Sequence, residues 1–280
     1  MARSPNFDSK ILRFKVQGHW CKGFYRYWLG SLNKSMSELQ IAEKLSQEIG
    51  NELNKAFINY IRGWIYYDRE ELELSRKYFK LWPDVYIENF PQDLSWYKAI
   101  DSFNLGLLDL KQGRIDSAKS RLSEMKSLLP KIEGYKDWIA YYADFLSAET
   151  FIQEGNPDKA IAVLEETLPI ESFSVWISGH TIGYNVPLLK DVLARAYQQK
   201  GEIDKAIEEY ERLITFNPKS EERYLVHPKY YYRLGKLYEA KDMSDKAIEH
   251  YEKFLDLWKD ADPGIPEVED AKVRLVALKD

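Results

Sequence analysis

A small residue answered by another small residue twelve positions later recurs six times along this 280-residue chain. The pairs are Gly30 with Ala42, Gly63 with Ser75, Gly106 with Ala118, Ala148 with Ala160, Ala194 with Ala206, and Gly235 with Ala247. Their first members step along the chain by 33, 43, 42, 46 and 41 residues. Leu precedes the first member at Leu29, Leu105, Leu193 and Leu234, and a large apolar residue follows the second by four at Phe79, Leu122, Leu164, Tyr210 and Tyr251. A plain helical bundle has no need of a fixed spacing, so the pattern predicts one unit built many times.

Each unit reads as two helices. "DVLARAYQQK" and "EIDKAIEEYERLITF" both have helical apolar spacing, and Gly201 separates them. The same break falls at Gly113, Gly155 and Asp242. Small residues where two helices cross let their backbones approach closely. Pro130 and Pro218, twelve residues beyond Ala118 and Ala206, end second helices by denying them a backbone donor.

Tyr231, Leu234, Gly235, Tyr238, Ala247 and Tyr251 fit W-x-x-L-G-x-x-Y…A-x-x-x-F, as do Leu193, Ala194, Tyr197, Ala206, Tyr210 and Pro218 one copy earlier. The chain thus resembles the tetratricopeptide repeat family, most clearly over 187–256, less so over 99–168, and in degenerate form over 23–88. Most steps exceed the family's roughly 34 residues, and the stretch "PIESFSVWISGHTIGYNVP" is the clearest insertion. The resemblance implies an all-α fold, an alpha-alpha superhelix (solenoid) of about six helix pairs. It would comprise an N-terminal segment 1–22, a repeat array 23–260 and a C-terminal capping helix 261–280. In that helix Val268, Ala271, Leu275 and Leu278 share one face.

The resemblance also implies that the face of each first helix opposite its signature residues lines a concave groove. Transferring positions from copy to copy places Tyr27, Trp28, Phe57, Tyr60, Trp64, Tyr67, Phe103, Asn104 and Leu107 there from the first three copies. The fourth copy adds Tyr142 and Phe145, the fifth Arg195, and the sixth Lys229, Tyr232, Arg233 and Lys236. One end of the groove would be aromatic and the other basic, suited to a peptide with apolar and acidic side chains. The same aromatics could instead pack between long helices, and the charges could be a solvated face. Lys229 and Arg233 have the Lys-x-x-x-Arg spacing of domains that clamp a chaperone's terminal carboxylate. Val192, Phe145 and Glu149 stand where that clamp needs other residues.

Chemistry is absent from the pattern. His19, His180, His227 and His250 lie far apart, without metal-ligand spacing or a cysteine partner, and Cys21 is the single cysteine. "SGHTIG" at 178–183 reads as a loop, and acidic runs such as "IEEYER" as solvated helix faces. No enzyme, cofactor or metal site is expected. A net charge of −5 and a pI near 5.6 argue against a general nucleic-acid binder. No apolar run is long enough to span a bilayer, so a soluble cytoplasmic protein is expected. The resulting expectation is a protein-interaction scaffold holding a peptide or protein in its groove. The alternative is a regulatory or sensory domain of a longer bacterial signalling protein (a kinase, cyclase or transcription regulator), since the tail resembles the ends of such arrays. An empty aromatic groove would be a large apolar patch, so a partner, residues 1–20 or a second copy in a homo-oligomer would cover it.

Overall fold

The computed structural model describes residues 5–134, 136–167, 190–215 and 226–280. The insertion at 169–187, with its 178–183 loop, and Pro218 lie outside them. The described residues form helix hairpins in series. These are α1 (Pro5–Trp28) with α2 (Leu32–Glu48), α3 (Glu52–Asp68) with α4 (Leu72–Phe79), and α6 (Leu94–Lys111) with α7 (Ile115–Leu128). After them come α8 (Lys136–Gln153) with α9 (Pro157–Glu166), α10 (Val192–Lys200) with α11 (Ile203–Ile214), and α12 (Lys229–Glu239) with α13 (Ser244–Leu257). A short α5 (Pro83–Asn89) is inserted after the second hairpin, and α14 (Pro266–Lys279) closes the stack. Each first helix packs on its own partner, and each second helix on the first helix of the hairpin that follows or, at the end, on α14, so the array is the expected all-α solenoid. The boundary placed between residues 22 and 23 falls inside α1, because residues 5–22 continue the first helix without a break.

The second helix of a hairpin lays a side chain directly on the small residue of the first. A Cβ added at Gly63 would come within 3.0 Å of three atoms of the buried Phe79 ring, and one at Gly235 would lie 2.6 Å from Tyr251 Cε1. These two aromatics stand sixteen residues past their glycines. At Gly106 the intruder is Leu146 from the next hairpin, 2.7 Å away. The glycine therefore serves as a seat for a neighbouring side chain, which explains why its place in the unit is fixed.

That geometry corrects the register of the first copy. A Cβ at Gly23 would lie 2.9 Å from Leu39, and Ser35 Oγ donates to the Gly23 carbonyl at 2.6 Å, just as Ser75 Oγ donates to Gly63 at 2.8 Å. Gly23 with Ser35 is thus the first pair, not Gly30 with Ala42. Gly30 is the inter-helix turn, with φ of +72°, matching Gly113, Gly155 and Gly201 at +72°, +72° and +86°. Glu70 and Asp242 adopt the same left-handed conformation at +61° and +56° without being glycine.

The solenoid curves until its ends meet. Ser31 Oγ donates to the Asp260 carbonyl at 2.6 Å, the Asn33 amide to Asp262 Oδ2 at 2.7 Å, and the Asp262 amide to the Gly30 carbonyl at 3.0 Å. Trp258 Nε1 donates to the Trp28 carbonyl at 3.1 Å. Trp28 in turn packs on the buried His227 ring with centroids 4.5 Å apart. The turn after α1 is therefore joined to the turn after α13, 229 residues on.

One side chain in the third hairpin is at odds with its surroundings. Burial pushes the Asp101 carboxyl up to about 6, with Arg121 opposing, and its Oδ1 is buried without a partner. The folded state binds this proton more tightly than the unfolded chain. The contribution to stability is complete below the unfolded pKa near 4 and is lost as pH rises through about 6. Asp101→Asn is expected to raise stability at pH 7 by about 1 kcal/mol, discounted because the side chain is only partly buried. Parallel urea titrations at pH 4 and pH 7 check it: a gain of equal size at both would show that the charge is not responsible.

Candidate functional site

Inside the closed array lies a cavity of about 770 Å³. Every first helix contributes to it, the first five at shared offsets and the sixth through Lys229 and Arg233, six and two places before Gly235. Counted from the small residue of each hairpin, the wall residues stand one place on (Leu107, Glu149, Arg195), four on (Tyr27, Tyr67, Leu110) and five on (Asp68, Lys111, Gln153). Those offsets form one helical stripe along the first five first helices. The turns supply Arg69, Glu70, Trp258 and Asp262 among others, and the start of α14 supplies Glu267.

The lining is charged and balanced: Arg69, Lys111, Arg195, Lys229 and Arg233 face Asp68, Glu70, Glu149, Asp262 and Glu267. These groups tie one hairpin to the next around the rim. Tyr27 donates to Asp68 at 2.8 Å, and Lys111 Nζ donates to the Tyr67 carbonyl at 3.0 Å beside Glu70. Arg195 pairs with Glu149, Nη1 to Oε2 at 3.0 Å, and also with Asp191, which Arg233 shares. Lys229 meets Glu267 at 2.9 Å, and Arg69 completes the circuit by donating to Asn33 at 2.7 Å near Asp262. Between α6 and α8 the tie is apolar, with Phe103 stacked on Tyr142 at 4.7 Å.

Electrostatics follows from these pairings. Burial lowers the pKa of Lys229, but Asp68 and Glu267 outweigh it and hold the ammonium charged. Burial likewise works against the Glu267 carboxylate, and Lys229 with Arg233 pulls it below the usual range. Arg233 is pushed down by burial, against the pull of Glu267, Glu149 and Asp68. His227 is held well below its ordinary value by burial and by Lys229, so at neutral pH its Nδ1 accepts the Lys229 amide at 3.2 Å. The arrangement suits binding of groups bearing either charge, and the lining pairs no nucleophile with a base. Among the described residues no cluster of three His, Cys, Asp or Glu is placed to hold a metal ion, and no helix is long and apolar enough to cross a membrane.

Six of the sixteen expected groove residues line the cavity: Tyr27, Tyr67, Leu107, Arg195, Lys229 and Arg233. The other ten do not. Phe57 packs edge-on against Trp20 at 5.0 Å, and Tyr60 and Trp64 pack with Phe79, Tyr60 also meeting Trp82. Phe103 and Tyr142 are sealed against each other, and Phe145 lies on Tyr141 at 4.4 Å. Asn104 is fully buried, and Trp28 sits under the closing turn. Tyr232 donates to Asp270 on α14, with the exposed Lys236 over its ring. The transferred positions mark the row between adjacent first helices, which long helices and α5 fill with aromatics. The basic residues are matched by carboxylates of the chain itself. Asp68, Lys111, Gln153, Trp258 and Asp262 were not among the transferred positions, although the shared five-residue offset finds the first three.

Fold and cavity together define a helical-repeat protein with a polar interior. The family model for the tetratricopeptide repeat matches residues 191–220 and 228–257, the fifth and sixth hairpins. Among solved structures, a thermophilic tetratricopeptide repeat protein of Thermus thermophilus is similar, at 17% identity and a TM-score of 0.48, over 79% of this chain and 96% of that one. No curated protein matches the sequence significantly. Tetratricopeptide arrays are generally non-catalytic scaffolds for protein–protein interaction.

Proposed function

We propose that this protein is an interaction scaffold whose binding site is the central cavity, and that its partner is a protein or peptide presenting a short polar segment with an acidic group. The observation that carries this is the convergence of all six first helices, five of them at shared offsets, on a single charged cavity. At about 770 Å³ the space is the size of sites that enclose a small ligand or a few side chains, and too small for a folded domain. An acidic group from a partner would compete with Asp191 and Glu149 for Arg233 and Arg195. Fork-shaped guanidinium donors favour such an exchange of carboxylates.

A displayed library of random short peptides, selected on the purified protein, tests the proposal. Gln153→Trp places bulk at an exposed point of the lining without touching the hairpin seats. Selected peptides are expected to carry an acidic residue and to lose at least about tenfold in affinity to Gln153→Trp, roughly 1.4 kcal/mol. Binders indifferent to that change would place the site elsewhere on the solenoid.

A further inference from the structure

Contacts between the two ends of the array centre on the turn after α1 with the start of α2, and on the turn after α13. Four of the residues at this junction, Gly30, Asn33, Trp258 and Asp262, are also walls of the cavity. Because each repeat of a solenoid leans only on its neighbours, parting the junction breaks no hairpin and leaves every glycine seat filled. It would, however, remove one side of the cavity. The junction is also closely fitted: a Cβ at Gly30 would lie 2.9 Å from Ala261 Cβ and 3.1 Å from Trp258, so the Gly30 backbone lies directly against these two side chains.

We propose that the turns at residues 30–33 and 258–262 form a latch, and that the ring opens and closes there to admit a partner to the cavity. The bonds that hold it fit such a device. The Asp262 carboxylate reaches the Asn33 amide and lies near Arg69, while Ser31 and Trp258 each donate to a carbonyl of the opposite end. These are a few polar contacts around the buried Trp258 indole, and water would replace them once the ends part. Opening would swing the first hairpin away through small angular changes spread over the stack, since the curvature of a solenoid is the sum of small rotations per repeat. The purpose of the latch rests on the cavity being the binding site; its existence does not, and the test below needs no partner.

Ser31 and Ser75 are both fully buried and occupy different hairpins, one under the latch and the other on the seat of Gly63. With the exposed native thiol removed by Cys21→Ser, the variants Ser31→Cys and Ser75→Cys are labelled with a maleimide under native conditions. The thiol at position 31 is expected to react at least tenfold faster than that at 75 and at least tenfold slower than native Cys21. Adding Asp262→Ala should speed labelling at position 31 a further tenfold, leave position 75 unchanged, and enlarge the radius of gyration by small-angle scattering. A second variant, Ser31→Cys with Asp260→Cys, should form an intrachain disulfide on oxidation and keep the compact radius. Equal rates at 31 and 75, rising together with Asp262→Ala, would mean that the ring opens only by unfolding. Labelling at 31 as fast as at Cys21 would mean that the ends do not meet. Either result overturns the latch.

Discussion

Gly63→Val is expected to lower the stability of the protein by about 3 kcal/mol, the upper end of the cost of overpacking a closed core. The position is helical and its backbone torsions suit any residue, so helix propensity alone would predict a gain from losing a glycine. Packing decides the sign. The Phe79 ring is fully buried between Trp64 and Tyr60, with centroids 5.2 and 5.9 Å away, and has nowhere to retreat. Gly113→Ala makes the control, because nothing lies within 4 Å of a Cβ there and the cost comes only from φ of +72°, about 1 kcal/mol. Urea unfolding of the two variants compares them. A loss at Gly63 no larger than that at Gly113 would show that the ring does not rest on the glycine.

The second large effect is expected at the rim. Glu149 is 4% exposed, and both of its oxygens engage the Arg195 guanidinium. Glu149→Leu should cost about 3 kcal/mol, because it leaves a guanidinium in a desolvated site with fewer acceptors. The double variant Glu149→Leu with Arg195→Met should recover most of that loss, since removing both charges removes the penalty of burying one alone. Asp191 then keeps Arg233 as a partner. A double variant as unstable as the single one would mean that Arg195 supports the fold through Asp191 rather than through Glu149. The cycle also bears on function: the pair can be dispensable for folding and still be the group that a partner's carboxylate displaces.

The repeated unit was legible because it is local. A small residue, a turn seven residues on and a large side chain sixteen on all lie within one hairpin, so helix geometry ties them together in sequence. The error in the first copy has the same origin. Gly23 and Gly30 lie seven residues apart, each with a small residue twelve on, and seven residues bring a helix almost back to the same face. Either glycine fits the twelve-residue spacing; the large residue sixteen on distinguishes them, since Leu39 follows Gly23 and sits on it while Ser46 follows Gly30. The aromatic rows were visible as residues, but their contacts were not. Phe57 on Trp20 and Tyr60 on Trp82 depend on the length of α1 and on the inserted α5.

From its sequence alone this protein was bound to form paired helices in series, because spacing within a hairpin is a property of the helix. Tertiary structure alone decided that the series bends until residue 31 touches residue 260, and that its inner cations meet carboxylates of its own chain. The physical reason is accumulation: each hairpin sets only a small rotation relative to the next, and whether the ends meet depends on the sum over the whole stack, which no local pattern records.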